Sequence, residues 1–367
     1  MNKSYCKRAF DHIYCDNKGR YRLCCHAFPF EDKPLFNYNV ITPFDYFLST
    51  EMDEIRSRMF NGEDIPECNL CISIEKRGGI SYREFNKIQT EPGNIQTKLR
   101  MFGSHCNLSC YMCMPFNSSG RRKELSQLKN KYFFSGPNRP IKKEPYEKAV
   151  KNILDNIDKI STILLTGGEP FLLPRMWSFL NKISDEDASR IELSIDTNLT
   201  DLDYTRFTSD IVLRFKRVLL AVSCDHYGDK LAWIRYPMDV KKFESNLKLY
   251  REWIKHLCCC ASILNINDKN EIIKYYKDNF DIELKFASLV YYPPFLSIRN
   301  SNNKDTIIKN WQAWVGDTST GMLTSDPLID ELKREPEQKN LIKQYLSELN
   351  AVRKIDITKL WPDLDDL

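Results

Sequence analysis

The sequence lacks three features that would assign the protein to a membrane, to export or to nucleic acid. It has no apolar run of about eighteen residues, the length that a membrane-spanning helix requires. Residues 1–5 lead into charged and aromatic residues, without the apolar core of a signal peptide. Neither sign of charge is in large excess, since the chain has 54 basic and 50 acidic residues and a net charge of +4. We therefore expect a protein of the reducing cytoplasm, with no membrane partner and no clear nucleic-acid partner.

Cysteine, by contrast, is abundant, with 13 residues gathered in clumps. In a reducing compartment such clumps indicate metal or cluster ligation rather than disulfides. The clumps are Cys6, Cys15, Cys24 and Cys25; Cys68 and Cys71; Cys106, Cys110 and Cys113; Cys224; and Cys258, Cys259 and Cys260. Consecutive residues of a strand face opposite sides, so the last three cannot converge on one metal and are predicted to be small buried hydrophobes.

The three cysteines at 106, 110 and 113 are separated by three and then two residues, a spacing that closes on one side of a small metal centre. Three thiolates on a four-iron cube leave the fourth iron without a protein ligand. That iron can bind a substrate or a cofactor, so the spacing indicates reactivity. The alternatives are buried thiols or a structural zinc site, in which His105 would be a strained fourth ligand beside Cys106.

A second group of cysteines precedes this loop. Residues 12–25 read as a β-hairpin around an Asn/Gly-bearing turn, with Cys6 before the first strand and Cys24 at the end of the second. Cys68 and Cys71 form a Cys-x-x-Cys turn. We predict a closed four-thiolate site of Cys6, Cys24, Cys68 and Cys71, holding iron–sulfur or zinc. Cys15 and Cys25 are the alternative hairpin ligands.

Strands and helices alternate after this region. Short apolar runs predict strands at 97–102, 161–165, 190–195, 217–222, 258–264 and 281–286, with amphipathic helices between them. This pattern predicts an α/β fold, a partial (β/α)6 TIM-like barrel with a parallel sheet. The basic residues Arg121, Arg122 and Lys123 that follow the cysteine loop are interpreted as a solvated surface.

The chain is longer than one modal domain, and 42% hydrophobic residues suffice for a buried core. Turn-forming residues at 91–94 mark the best boundary. We predict a small α+β module at 1–95, the barrel at 96–300 and a helical extension at 301–367, whose amphipathic pattern breaks at Pro336.

Polar residues follow nearly every predicted strand, where the carboxyl ends of parallel strands gather ligands. The cysteine loop follows the first strand, and Gly167, Gly168 and Glu169 follow the second. Further along the chain these residues are Asn198, Ser223, Asp225 and Asn265. Their convergence predicts one site at this edge of the sheet.

The cysteine triad, followed some fifty residues later by Gly167-Gly168-Glu169-Pro170, resembles the radical SAM superfamily over roughly residues 97–300. The resemblance implies a [4Fe–4S] cluster on Cys106, Cys110 and Cys113 whose free iron binds S-adenosylmethionine. It also implies one-electron cleavage of that cofactor to a 5′-deoxyadenosyl radical that abstracts a substrate hydrogen. An external one-electron donor such as flavodoxin or ferredoxin would be the redox partner.

The same resemblance implies roles for individual residues. Gly167 and Gly168 would let the backbone approach the methionyl amine, with Glu169 as an orienting group. Asn198 would contact the cofactor, although Leu199 stands where the family has glycine.

Two further residues are matched to the cofactor by the resemblance. Ser223 resembles a ribose or carboxylate contact. Arg235 resembles the arginine that pairs with the methionyl carboxylate, a partner suited to its forked geometry.

The pattern of Cys6, Cys24, Cys68 and Cys71 resembles the twitch form of the SPASM auxiliary-cluster domain, here placed before the barrel rather than after it. It implies a second, fully ligated [4Fe–4S] cluster for electron transfer. Relatives with such modules suggest a peptide or protein side chain as substrate. The alternatives are a small sugar, alcohol or nucleotide, or a non-catalytic iron–sulfur or zinc sensor.

Overall fold

The computed structural model describes residues 4–30, 36–76, 81–85, 94–133, 142–312 and 325–362. The turn residues 91–93, and residues 313–324 and 363–367 of the predicted extension, lie outside this described part. The strands are β1 His12–Cys15, β2 Tyr21–Arg22, β3 Ile95–Leu99, β4 Ile160–Leu165, β5 Glu192–Thr197, β6 Arg217–Ser223, β7 Ile254–Ala261 and β8 Leu284–Leu289.

Helices alternate with these strands. They are α1 Arg8–Asp11, α2 Pro43–Phe47, α3 Thr50–Phe60, α4 Asn69–Lys76, α5 Tyr82–Phe85, α6 Ser119–Leu125, α7 Lys143–Asp155, α8 Pro174–Leu180, α9 Asp185–Ala188, α10 Tyr204–Phe207, α11 Gly228–Ile234, α12 Val240–Leu249, α13 Lys269–Phe280, α14 Lys304–Gln312, α15 Ser325–Lys333 and α16 Asn340–Arg353. The predicted α/β class is confirmed, and each of the six predicted strands has its counterpart in β3 to β8.

The chain divides into two compact units. The first unit comprises residues 1–104, 138–196 and 202–219, and the second comprises 105–137, 197–201 and 220–367. The predicted division at residues 95 and 300 stays a prediction.

In the first unit the predicted hairpin is confirmed, because β1 pairs antiparallel with β2. The other edge of β1 pairs parallel with β3, from His12 opposite Gln96 to Cys15 opposite Leu99. Strand β3 pairs parallel with β4, and β4 with β5. The N-terminal hairpin therefore continues the parallel sheet.

Helix α7 shows how the apolar pattern positions an element of the first unit. Its buried residues Tyr146, Ala149, Val150 and Ile153 follow the i, i+3, i+4, i+7 spacing of one helix face. Strand β4 is apolar at four of its six residues, and Ser161 and Thr162 are the two exceptions.

In the second unit β6, β7 and β8 pair parallel in that order. Strand β7 begins at Ile254 and ends at Ala261, so the prediction of 258–264 was shifted toward the C-terminus. The cause is local, because the amide of Ser262 turns to the side chain of Asn265 at 2.9 Å instead of continuing the ladder. The apolar residues after Ala261 belong to the following loop.

The described residues of the extension are helical, and the predicted break at Pro336 falls between α15 and α16. Helix α16 buries Ile342, Tyr345, Leu346 and Leu349 in the second unit's core. Burying each such side chain contributes roughly 1.5–3 kcal/mol. Within the described ranges no helix has the length and apolar character needed to cross a membrane.

Candidate functional site

The cysteine loop of the second unit is held by backbone pairing with the end of α11. The amide of Ser109 donates to the carbonyl of Tyr236 at 2.5 Å, and the amide of Tyr111 donates to Ile234 at 3.0 Å. A tight turn follows, in which the amide of Cys113 donates to the carbonyl of Cys110 at 2.9 Å. This pairing fixes the backbone on both sides of Cys110.

The start of α6 is packed directly against the same loop. Ser118 caps the helix by accepting from the amide of Arg121, and its hydroxyl donates to the carbonyl of Leu108 at 2.9 Å. A Cβ atom on Gly120 would lie 3.1 Å from the carbonyl oxygens of Cys106 and Leu108. Glycine therefore lets the helix approach the loop without displacing these oxygens.

Two of the three thiols receive N–H groups from residues that the sequence assigned to the site. Asn198 Nδ2 lies 3.9 Å from Cys106 Sγ, and Arg235 Nη1 lies 3.8 Å from Cys110 Sγ. The three thiols are partly exposed. Donors directed at a sulfur favour its charged, metal-binding form. The structure thus brings Asn198 and Arg235 to the predicted cysteines.

Asn198 is held by its own turn. Its Oδ1 accepts from the amide of Thr200 at 3.0 Å, while Nδ2 donates to Asn107 Oδ1 at 2.9 Å. Leu199 adopts φ of 55°, in the left-handed region that glycine favours. The backbone therefore keeps the conformation that glycine would provide, although leucine stands at this position.

Arg235 is positioned by Asp225. Its Nη2 lies 2.7 Å from Asp225 Oδ2, and Asp225 Oδ1 accepts from the amide of Cys260 at 2.8 Å. Burial alone would lower the pKa of Arg235, but the Asp225 carboxylate outweighs it and raises that pKa. The buried Nε–H of Arg235 has no hydrogen-bond partner among the described residues. An orphaned donor beside the cysteine loop fits an anionic group of a bound cofactor.

The remaining groups of this strand end occupy different positions. Ser223 is the half-buried last residue of β6. Cys224 is fully buried and its thiol donates to the carbonyl of His226 at 3.2 Å, so it faces the core. Asn265 holds the turn after β7 through the carbonyls of Asp225 and Cys260, at 3.1 and 3.0 Å.

The prediction of three buried cysteines in β7 was partly wrong. Cys259 is buried, whereas Cys258 and Cys260 are partly exposed. Strand alternation places Cys258 and Cys260 on the face opposite Cys259, and this signal was available in the sequence. Cys260 Sγ lies 3.0 Å from Ser288 Oγ. Sequence reasoning therefore missed Cys260 as a thiol beside Asp225.

The Gly167-Gly168-Glu169 segment lies in the first unit, directly after β4. A Cβ atom on Gly167 would lie 3.1 Å from the carbonyl oxygen of Gly103, so two backbones meet closely here. Glu169 is buried, and its Oε1 accepts from the amide of Phe171 at 3.4 Å. Glu169 thus caps the turn that follows.

The four favoured N-terminal cysteines are buried in the first unit, and their thiols interact electrostatically. Burial, and then Cys71, raises the pKa of Cys6 to about 11. Burial is also the largest cause of the raised pKa of Cys24 and of Cys68. Cys6 and Cys71 raise the pKa of each of these two thiols further. The four thiols are therefore close enough to influence one another's pKa.

The alternative hairpin cysteines have other surroundings. Cys15 is fully buried beside Asp16. Cys25 faces Lys98, His26 and Arg8, which lower its pKa to about 6 although burial opposes them. Neither Cys68 nor Cys71 is among the main influences on the pKa of Cys15 or Cys25.

Within the described residues, no three His, Cys, Asp or Glu side chains stand close enough to hold a single metal ion. A four-iron cube is larger than one ion and spaces its thiolates further apart, so this finding bears on mononuclear sites alone.

Comparison with known families matches residues 101–275 to the Radical SAM superfamily. Comparison with curated proteins finds no match. Similar solved structures include native anSMEcpe with bound AdoMet, which is 20% identical over 59% of this chain and 60% of that chain, with a TM-score of 0.40.

A second similar structure is Streptococcus suis SuiB bound to S-adenosylmethionine, 13% identical over 73% of this chain and 54% of that one, with a TM-score of 0.41. SuiB bound to precursor peptide SuiA is 13% identical over 87% of this chain and 63% of that one, with a TM-score of 0.36. The matched parts thus span 54–63% of those proteins' lengths.

Proposed function

We propose that this chain, whose residues 101–275 match the Radical SAM superfamily, is a radical SAM enzyme in which Cys106, Cys110 and Cys113 hold a [4Fe–4S] cluster that binds S-adenosylmethionine. When bound, these groups supply one-electron cleavage of the sulfonium to a 5′-deoxyadenosyl radical, which abstracts a hydrogen atom from the substrate. The observation that carries the proposal is the placement of Asn198 and Arg235 on two of the three thiols.

The protein's own residues have separable tasks in this proposal. Asn198 and Arg235 donate N–H groups to the cluster ligands. The orphaned Nε–H of Arg235 binds the methionyl carboxylate, while Asp225 fixes the guanidinium. Ser223, at the end of β6, contacts the ribose or the carboxylate. The resemblance also assigns Gly167 and Gly168 to the methionyl amine, with Glu169 as an orienting group.

The test is anaerobic reconstitution with iron and sulfide, followed by reduction with dithionite and assay of 5′-deoxyadenosine. Changing Cys106, Cys110 and Cys113 to Ala should abolish the product and the iron that this loop binds. The matched control is Cys224→Ala, which removes a fully buried thiol that contacts His226 instead of the loop. Product from the triple variant at the wild-type rate would refute the proposal.

Arg235→Lys tests the carboxylate contact, because lysine keeps the charge and loses the fork. Losing a charge-assisted hydrogen bond costs about 1.5–3 kcal/mol, so the KM for S-adenosylmethionine should rise about tenfold or more. An unchanged KM would remove Arg235 from cofactor binding.

We also propose a second, fully ligated [4Fe–4S] cluster on Cys6, Cys24, Cys68 and Cys71, with a twitch-like role in electron transfer. Support comes from the mutual interaction of the four buried thiols. Two cubes give roughly eight irons per chain, and changing Cys68 and Cys71 to Ala should leave roughly four. Loss of iron from Cys15→Ala instead would point to the alternative ligand.

The proposed substrate is a peptide or protein side chain, and a flavodoxin or ferredoxin is the proposed electron donor. Both follow from the resemblance of the cysteine pattern to auxiliary-cluster enzymes. A small sugar, alcohol or nucleotide is the alternative substrate. Deuterium transfer into 5′-deoxyadenosine from labelled peptides, compared with labelled small alcohols, separates these classes. Zinc without iron in anaerobically purified protein would favour the non-catalytic alternative.

A further inference from the structure

The cysteine loop of the second unit rests on a buried group of three charged side chains, which we call the charged triad: Arg121 and Glu124 from α6, and Arg353 from the end of α16. Arg121 is 0% exposed, and the other two are buried as well. Glu124 Oε2 pairs with Arg121 Nη1, and Glu124 Oε1 accepts from Arg353 Nε at 2.6 Å. One carboxylate thus joins two guanidinium groups.

Both arginines also donate hydrogen bonds to the backbone of the cysteine loop itself. Arg353 Nη2 donates to the carbonyl of Ser109 at 2.7 Å, and Arg121 Nη2 donates to the carbonyl of Tyr111 at 2.8 Å. Ser109 and Tyr111 are the two neighbours of Cys110 in the chain. The charged triad therefore holds the backbone on both sides of this cysteine by hydrogen bonds.

Arg353 also ties the loop to the end of α11. Its Nη1 donates to the carbonyl of Trp233 at 2.5 Å, and its guanidinium lies 4.8 Å from the centre of the Trp233 ring. The planar fork reaches three carbonyl or carboxylate partners at once, which an ammonium group cannot do in one plane. These contacts fix the geometry of the loop through a residue more than two hundred positions away.

The charged triad carries a net charge of one positive unit beneath the loop. Burial lowers the pKa of Arg121 to about 10, still well above neutral, so it stays charged. Charges act strongly on one another in such a desolvated setting.

We propose that Arg121, Glu124 and Arg353 are positioning residues that hold Cys110 in its ligating geometry and set the reduction potential of the cluster on this loop. The inference rests on the cluster assigned to Cys106, Cys110 and Cys113 under the proposed function. Reduction adds an electron to the cluster, so a net positive charge beside it makes reduction easier. A negative charge has the opposite effect.

The test measures the midpoint potential of the reconstituted full-length protein by redox titration followed with electron paramagnetic resonance. The signal to follow is the one that changes when S-adenosylmethionine is added, because the fully ligated cluster does not bind it. Arg353→Met removes a positive charge and should shift the midpoint to a more negative value. Glu124→Gln removes the negative charge and should shift it to a more positive value.

Arg353→Lys separates charge from geometry. Its midpoint should stay near the wild-type value, whereas iron loss to a chelator should become faster because the fork on Ser109 and Trp233 is gone. Lys123→Met is the matched control, since it removes an exposed cation from the same helix and should change neither the midpoint nor the rate of iron loss.

Opposite shifts in Arg353→Met and Glu124→Gln support the proposal, because loss of fold would not change sign with charge. Shifts in the same direction, or no larger than that of Lys123→Met, overturn it. If Arg353→Met does not fold, Glu124→Gln and Arg353→Lys give the same decision. A wild-type protein that binds no iron on the loop defeats the proposed function as well, whereas iron with unshifted variants defeats this inference alone.

Discussion

Arg235 and Asp225 form an ion pair in which the carboxylate is fully buried and Nη2 lies 2.7 Å from Oδ2. Asp225 follows β6 and Arg235 follows α11, so the pair joins two consecutive segments of the second unit. Because Nη1 of the same guanidinium lies 3.8 Å from Cys110 Sγ, the carboxylate fixes the orientation of a cation beside the cysteine loop.

Asp225→Asn should destabilise the protein by about 3 kcal/mol, since it leaves the buried guanidinium without a counterion. The asparagine oxygen can still accept from the amide of Cys260, so the turn itself is kept. The measurement is the free energy of unfolding in urea. Asp229→Asn, at an exposed position of α11, is the control and should change it by less than about 0.5 kcal/mol. Equal effects from the two changes would contradict the role of the pair.

Gly120→Ala should impair the cysteine loop although alanine favours helix. In a helix alanine is better than glycine by about 1 kcal/mol, so propensity alone predicts a more stable protein. The new Cβ would instead lie 3.1 Å from two loop carbonyls, which must move. We expect less iron bound per chain after reconstitution. The control is Lys123→Ala on the same helix, which should bind as much iron per chain as the wild type. Wild-type iron content in Gly120→Ala would show that the loop carbonyls can move without loss of the cluster.

The Leu199→Gly variant should be at least as stable as the Leu199→Ala variant. At an ordinary helix or strand position the alanine variant would be the more stable of the two. Leu199 has φ of 55°, which costs an L-residue roughly 1–2 kcal/mol and costs glycine nothing. Both changes lose the fully buried leucine side chain, at about 2–5 kcal/mol. Burial therefore outweighs strain, and leucine remains the best of the three. Urea unfolding of Leu199→Gly and Leu199→Ala gives the order, and a more stable alanine variant would contradict the left-handed backbone.

Acidification should destabilise the protein through His256 on β7. Burial, then Lys255 and Lys285, lowers the pKa of this histidine from 6.5 to about 4. Between about pH 6.5 and pH 4 the unfolded chain therefore binds a proton at this histidine that the folded chain does not bind. The free energy of unfolding is at its maximum above about pH 6.5 and decreases as the pH falls toward 4. The loss is at most about 3 kcal/mol.

His256→Asn should flatten this pH dependence between pH 7 and pH 4.5, measured as the change in urea midpoint. His26→Gln, at an exposed ring, is the control and should leave the wild-type slope. A wild-type slope in both variants would place the acid sensitivity elsewhere.

The strands of this fold could be predicted because short apolar runs recur between the helical segments, such as residues 163–165 in β4 and 218–222 in β6. The cysteine loop was equally clear from its spacing. The least predictable contacts join residues far apart in the chain. Arg353 donates to the carbonyl of Ser109, which lies 244 positions away in the chain, and the sequence around either residue gives no signal of this contact.

Arg121 shows the same limit most plainly. Three consecutive basic residues after the loop predicted a solvated surface, and Lys123 is indeed exposed, but Arg121 is fully buried. Its counterion Glu124 lies one turn away, whereas its other partners come from the loop and from α16. A buried charge is tolerated only when all its partners are in place, and those partners are set by tertiary structure.

The parallel pairing of β1 with β3 has a consequence for how the protein can be divided. A chain shortened to begin at residue 95 would expose the N–H and C=O groups of β3 that β1 satisfies, from Gln96 to Leu99. An open strand edge of this kind recruits other chains and promotes aggregation. The N-terminal hairpin therefore protects this edge of the sheet from self-association.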